Sequence, residues 1–201
     1  MGQYVSNGSV CNEDMADITD WSDGDTGTGV SSQATFDSKS CMKLLTGATP
    51  GAAIRSRDVG TFGARTVISF SMYCDAIGTA SAGDYLQLII NNGSTGVWMS
   101  FASDGLFIFN GTTSPEVGTN IVSQDAWQEW TFDINWTAQT LNVYLSRLLV
   151  GSAIDCSYTE ATANGTIKFA QFGNTTAARL SYIDWLIVGS NFKSGLFTFH
   201  G

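Results

Sequence analysis

Polar and apolar positions alternate along much of this chain. Trp130, Phe132 and Ile134 are apolar, and the residues between them, Thr131 and Asp133, are polar. After a polar break at 136–140, Leu141, Val143 and Leu145 repeat the pattern, with Asn142 and Tyr144 on the opposite side. A period of two sends successive side chains to opposite faces of a strand. The stretch therefore predicts an antiparallel hairpin with one buried face, followed at once by a third strand over 148–150. The same reading predicts strands over 10–15, 40–45, 66–73, 84–90, 97–102, 106–110, 165–172 and 180–189. Ser103-Asp104-Gly105 supplies an Asp-Gly hairpin turn between two of them. No segment carries a helical period. Together these features predict an all-β chain, an antiparallel jelly-roll β-sandwich of about ten to twelve strands. With neither an internal repeat nor a linker, 10–190 reads as a single sandwich, preceded by a loose segment 1–9 and followed by an apolar tail 191–201.

Several of these stretches resemble a known family. The run from Trp127 through Asp133 and Trp136 to Tyr144 is similar to the middle of concanavalin A-like (laminin-G-like) jelly rolls. There an alternating strand closes on Asp-Trp and a turn leads into a Tyr-bearing strand. Ser181-Tyr182-Ile183-Asp184-Trp185-Leu186-Ile187-Val188 resembles the family's last core strand, and 40–45 resembles an early one. The usual Asp-Gly or Asn-Gly after the Tyr strand is replaced by Ser146-Arg147. The resemblance implies the sandwich fold. It leaves the activity open, since the family includes lectins, glycanases, lyases and virion proteins.

Composition narrows the partners. The 201 residues suffice for one sandwich with a sizeable core, and 22 Gly with abundant Ser, Thr and Asn suit many short strands and turns. A formal net charge of −9 offers no basic patch to neutralise phosphates, which argues against nucleic acid and, more mildly, against polyanionic glycans. No stretch approaches the length of a membrane span, and Met1-Gly2-Gln3-Tyr4 lacks the basic and apolar regions of a secretory leader. Cys11, Cys41, Cys74 and Cys156 form no CxxC pair. They read either as small buried hydrophobes or as one or two bridges.

Asp20, Asp23 and Asp25 crowd around Gly24, with Asp14 and Asp17 upstream. Carboxylates this close repel one another unless a cation or another partner intervenes, so a calcium ion is the candidate cofactor, beside the alternative of a solvated turn capped by Asp side chains. The resemblance adds Asp184, with Glu13 or Asp14, as the place where a calcium would join the first strand to the last. For a ligand such as a glycan, the polar-side residues Trp98, Asn142 and Tyr144 are the candidates, because aromatic faces stack on sugar rings. Catalysis finds less support. Glu13, Glu116, Glu129 and Glu160 nowhere form the alternating carboxylate set of the family's retaining glycanases, and the tail segment NFKSGLF resembles a lyase motif without its basic site. With His200 as the one histidine, the chain is expected not to be an enzyme.

Sequons stand at Asn7, Asn92, Asn110, Asn135, Asn164 and Asn174; where the next residue is Gly, the turn preference of Asn-Gly accounts for them. In the tail, Leu196, Phe197 and Phe199 predict either an added edge strand or an arm that docks on a neighbouring subunit of a homo-oligomer. Two functions follow from the sequence. The first is a structural or adhesive protein of a virion or cell surface with glycan binding as an accessory. The alternative is a carbohydrate-binding, lectin-like module. Either reading expects an extracellular or virion-surface location.

Overall fold

The computed structural model describes residues 9–60, 62–92, 95–156, 158–159, 165–174 and 177–189. The tail 191–201, and with it the docking expectation, lies outside these residues, as do the loose segment 1–8 and the sequons at Asn7 and Asn164. The regular structure of the described residues is almost wholly strand: β1 (Ser9–Glu13), β2 (Ser22–Asp23), β3 (Thr26–Gly27), β4 (Val30–Phe36), β5 (Lys39–Thr46), β6 (Gly51–Asp58), β7 (Arg65–Ala76), β8 (Leu86–Asn92), β9 (Thr95–Ala102), β10 (Gly105–Phe109), β11 (Glu116–Thr119), β12 (Trp127–Asn135), β13 (Thr140–Leu145), β14 (Leu148–Asp155), β15 (Tyr158–Thr159), β16 (Thr166–Gly173) and β17 (Arg179–Gly189).

Two antiparallel sheets face each other. The front sheet runs β14-β13-β12-β7-β17-β5-β4, with β1 also paired to β17. The back sheet runs β11-β10-β9-β8-β16-β6-β2, with β3 on β6 and β15 on β9. The last of the described strands lie inside the sheets, β16 between β8 and β6 and β17 between β7 and β5. This return of the chain into the middle of both sheets is the jelly-roll winding, and it gives those strands partners on both edges. In β17, Ile183 pairs with Met72 and Trp185 with Ser71, so Asp184 is the extra residue of a bulge.

The alternation seen in the sequence sets the core. Phe70, Trp130 and Phe132 of the front sheet and Phe101 and Phe169 of the back sheet are all fully buried. Phe101 lies edge-on to Trp130 at 5.3 Å and to Phe70 at 5.8 Å, and Phe70 meets Phe169 at 5.4 Å. Such edge-to-face contacts suit the quadrupoles of the rings and add to the gain from burying so much apolar area. One polar bridge crosses the same space, where the Ser181 hydroxyl donates to Gln171 Oε1 at 2.6 Å.

The structure adds strands that the sequence reading left out, so the described residues exceed the expected ten to twelve. In β4 the residues VSSQATF carry little apolar signal, because this is an edge strand. In β6 the residues GAAIRSRD turn Arg55 and Arg57 toward the inside, opposite Phe169 and Ile167. Their guanidinium groups reach the sandwich rim. Arg55 donates to Ser31 Oγ, Ser31 O and Trp21 O at 2.7, 2.9 and 3.0 Å, and Arg57 meets Glu13 at 2.8 Å. The acidic segment 17–29, expected as a loop, carries the short strands β2 and β3, which pair with β6. All four cysteines are buried free thiols. Burial pushes Cys11, Cys74 and Cys156 up to about 12, so these thiols stay protonated and unreactive at neutral pH.

Phe132→Ala is expected to destabilise the fold by about 3 to 5 kcal/mol through the cavity it leaves. Thr131→Ala, on the outer face, removes one hydroxyl contact to Ser69 and is expected to cost about 1 kcal/mol or less. Chemical denaturation of both variants checks the register, and equal effects would contradict it.

Candidate functional site

At one margin of the back sheet, Phe172 of β16 donates its backbone N–H to the carbonyl of Tyr85 at 2.9 Å and pairs on its other side with Ala52 of β6. This register brings the rings of Tyr85 and Phe172 to 5.3 Å, tilted by 52°. They line a groove of about 480 Å³ with Thr26, Gly27, Pro50, Gly51, Ala52, Gly83, Gly173 and Asn174. Much of its wall is backbone. A Cβ on Gly51 would meet Thr28 N at 2.6 Å, and one on Gly27, held at φ +59°, would meet Pro50 O at 2.5 Å. Only glycine lets these two segments come so close, and their contact keeps one side of the groove low. Desolvation raises the Tyr85 phenol above its ordinary value, so it remains a neutral donor and acceptor at physiological pH.

Asp84 fixes the groove from beneath. It is fully buried, accepts the Asn174 backbone N–H at 2.6 Å and pairs with Arg179 Nη2 at 2.8 Å. The backbone N–H of Gly78 donates to the Asp84 carbonyl at 2.9 Å, and a Cβ on Gly78 would lie 2.5 Å from that of Asp84. The Asp84 carboxylate thus ties its own segment, next to Tyr85, to those of Asn174 and Arg179, and its backbone carbonyl adds the segment of Gly78.

The three residues expected to meet a ligand do not converge. Trp98 stands on the outer face of the back sheet, paired with Ile89 and Phe109, its ring 5.6 Å from that of Phe109. Asn142 and Tyr144 stand on the outer face of the front sheet, opposite Asp133 and Thr131. The Asn142 side-chain oxygen accepts the Ala153 N–H at 2.9 Å, and the buried Asp133 carboxylate is held by Arg65 through its Nε, at 2.6 Å, and Nη2. The Trp98 side therefore faces away from the other two. Sequence reasoning did not single out Tyr85 and Phe172 for a ligand, because only the pairing of β16 beside the Tyr85 segment brings the two rings together. The Gly-rich segments 24–29 and 47–51 were the available signal.

The acidic loop is engaged by groups within the chain. Asp25 accepts Ile54 N at 2.6 Å and Ser31 N and Oγ at 2.6 and 2.9 Å. Asp14 caps Ala16 N at 3.0 Å, Asp23 caps Asp25 N at 2.9 Å and meets Arg55 at 3.3 Å, and Asp20 lies 3.5 Å from Arg57. Asp184 pairs with Lys39 at 2.7 Å. Among the described residues, no three His, Cys, Asp or Glu side chains are grouped to hold a metal ion. Arg55 and Arg57 bring positive charge to this loop.

No protein family and no curated protein matches the chain. Solved structures match at the level of fold. A sialidase is similar over 92% of this chain with a TM-score of 0.67 and 11% identity, and the chain spans 18% of that protein's length. A carbohydrate esterase of the Shiga toxin-encoding bacteriophage phi24B matches with a TM-score of 0.63 and 11% identity, covering 92% of this chain and 99% of that one. The cellulose induced protein Cip1 matches with a TM-score of 0.64 and 13% identity, covering 90% and 97%. These likenesses support the β-sandwich class that the sheet order defines.

Asp84→Ala is expected to destabilise the protein by about 3 to 5 kcal/mol, because it strands the Arg179 guanidinium at a largely buried site. Thermal or chemical melting checks this, and a change under about 1 kcal/mol would contradict the role given to Asp84. With Arg55 and Arg57 balancing the acidic loop, excess EDTA is expected to leave the melting temperature unchanged. A clear fall on chelation would place a stabilising cation among Asp14, Asp20, Asp23 and Asp184.

Proposed function

We propose that the protein is a non-catalytic glycan-binding β-sandwich that seats an uncharged sugar on Tyr85 and Phe172, at an extracellular or virion surface. The observation that carries this reading is the pairing of two tilted aromatic rings in a groove where, among the described residues, the lining holds no carboxyl, imidazole, ammonium or thiol group. Aromatic faces take the apolar face of a pyranose. The Tyr85 hydroxyl, the Asn174 amide, Thr26 and the glycine backbone supply neutral hydrogen-bonding groups for its hydroxyls. Acid–base cleavage of a glycosidic bond calls for a pair of carboxyl groups across it, and the described lining residues supply neither. The structural similarity to proteins named sialidase and carbohydrate esterase is compatible with a carbohydrate ligand.

A second reading, a structural role among copies of the same chain, is favoured by one feature. β14 is an edge strand of the front sheet that begins with Leu148 and Leu149, 72% and 55% exposed. An apolar edge of this kind invites strand addition by a second copy. On this reading the sandwich is a surface building block, and glycan binding is its accessory activity.

An array of neutral and charged oligosaccharides tests the first reading. Binding is expected among neutral glycans, with Tyr85→Ala and Phe172→Ala each weakening it about three- to tenfold, while the variants melt as folded proteins. Neutral binding that survives both substitutions would overturn it. Sizing over a range of concentrations tests the second, and Leu148→Lys is expected to shift any oligomer toward monomer.

A further inference from the structure

A different corner of the molecule, on the outer face of the front sheet, has the chemistry of a cation seat. Asp37 and Ser38 join β4 to β5 with φ of 51° and 62°, the left-handed pair of a tight hairpin turn. The turn lays Phe36 flat on Tyr182, with centroids 4.2 Å apart and planes within 4°. Tyr73 stands 4.7 Å from Phe36 and 5.6 Å from Trp127. The indole N–H of Trp127 donates to the Asp37 carboxylate at 3.0 Å, which fixes the ring. Lys39 Nζ lies 4.3 Å over the Trp127 ring and 2.7 Å from Asp184.

We propose that this corner is a second binding site, which takes the ammonium group of an amino sugar, and that Lys39 occupies the seat in the absence of ligand. The site is independent of the Tyr85 groove, which lies on the back sheet.

Three observations carry the assignment. First, the seat already holds an ammonium, between an aromatic face and a carboxylate, and those are the two groups that attract a primary amine most strongly. Second, carboxylates outnumber the lysines of this face, Lys39 and, opposite Tyr182, Lys43. Asp37, Asp75 and Asp125 are exposed near Tyr73 and Asp184 is half-buried. The Tyr73 phenol is held above its ordinary value, first by desolvation and then by the carboxylates of Asp125, Asp75 and Asp37. The whole chain carries −9, which draws cationic ligands from a distance. Third, the occupant can leave. The Lys39 side chain is 38% exposed on a four-carbon stem, so solvent reaches it and it can swing away from the ring. Trp127 and Tyr73 are half-buried rather than sealed, and the ring area left open suits the apolar face of a pyranose better than an extended peptide.

Fluorescence titration of the intact protein with a glucosamine tetramer, the glucose tetramer of the same linkage, and tetralysine tests the proposal. The glucosamine tetramer is expected to alter the tryptophan emission and to bind more tightly than either of the others. Lys39→Gln vacates the seat and is expected to strengthen glucosamine binding about three- to tenfold. Trp127→Leu is expected to abolish it, and Asp37→Asn, at an exposed carboxylate, to weaken it even if Trp127→Leu does not fold. Equal binding of the glucose tetramer, tighter binding of tetralysine, or a Lys39→Gln variant that binds no better would each overturn the proposal.

Discussion

The aromatic interlock between the sheets is the constraint on which the other features depend. Phe70, Trp130 and Phe132 close against Phe101 and Phe169. Because side chains alternate, filling the interior with these rings fixes which residues of the same strands face outward. Phe132 inside puts Thr131 and Asp133 outside, and Phe70 inside puts Ser69 and Ser71 outside. By the same register Phe169 inside helps place Phe172 at the sheet margin beside Tyr85. A slip of one residue would invert each of these assignments and remove the groove along with the core.

Around this interior, carboxylates act as fasteners. Asp25 holds the acidic loop to β6, Asp84 holds the groove segments together, and Asp133 is clasped by Arg65. A buried carboxylate without partners would be costly, so each serves as a point where two distant stretches of chain must meet. The glycines act in concert with these contacts. Gly78 leaves room for Asp84, and Gly27 and Gly51 let their backbones close on each other. The groove is thus shaped by backbone approach and hydrogen bonding, and its two rings are the aromatic surface on a wall built largely from glycine and other small residues.

Most of the fold was legible in the sequence. The hairpin of β12 and β13, the long strand β7 and the closing strand β17 stand where alternation placed them, because each has one buried face and the pattern records it. β4 and β6 escaped notice for the opposite reason. An edge strand such as VSSQATF has little to bury, and GAAIRSRD spends two inward positions on arginines that serve the rim. The site was less legible. Trp98, Asn142 and Tyr144 were picked by their place in a strand, and strand periodicity does not tell which sheet a strand joins. The acidic loop was read as a demand for a cation. Its partners within the chain include Arg55 and Arg57, more than thirty residues away in sequence, and only the pairing of β2 and β3 with β6 brings those charges together.

The account stands most directly on the claim that a neutral sugar sits on Tyr85 and Phe172. Titration of isotopically labelled protein with a neutral oligosaccharide, followed through backbone amide resonances, tests it. The shifts are expected to concentrate at Gly51, Gly83, Tyr85, Gly173 and Asn174, with the interior strands unmoved. Shifts confined to the outer face of the front sheet, around Asn142 and Tyr144, would contradict the groove and return the ligand to the residues that the sequence first suggested.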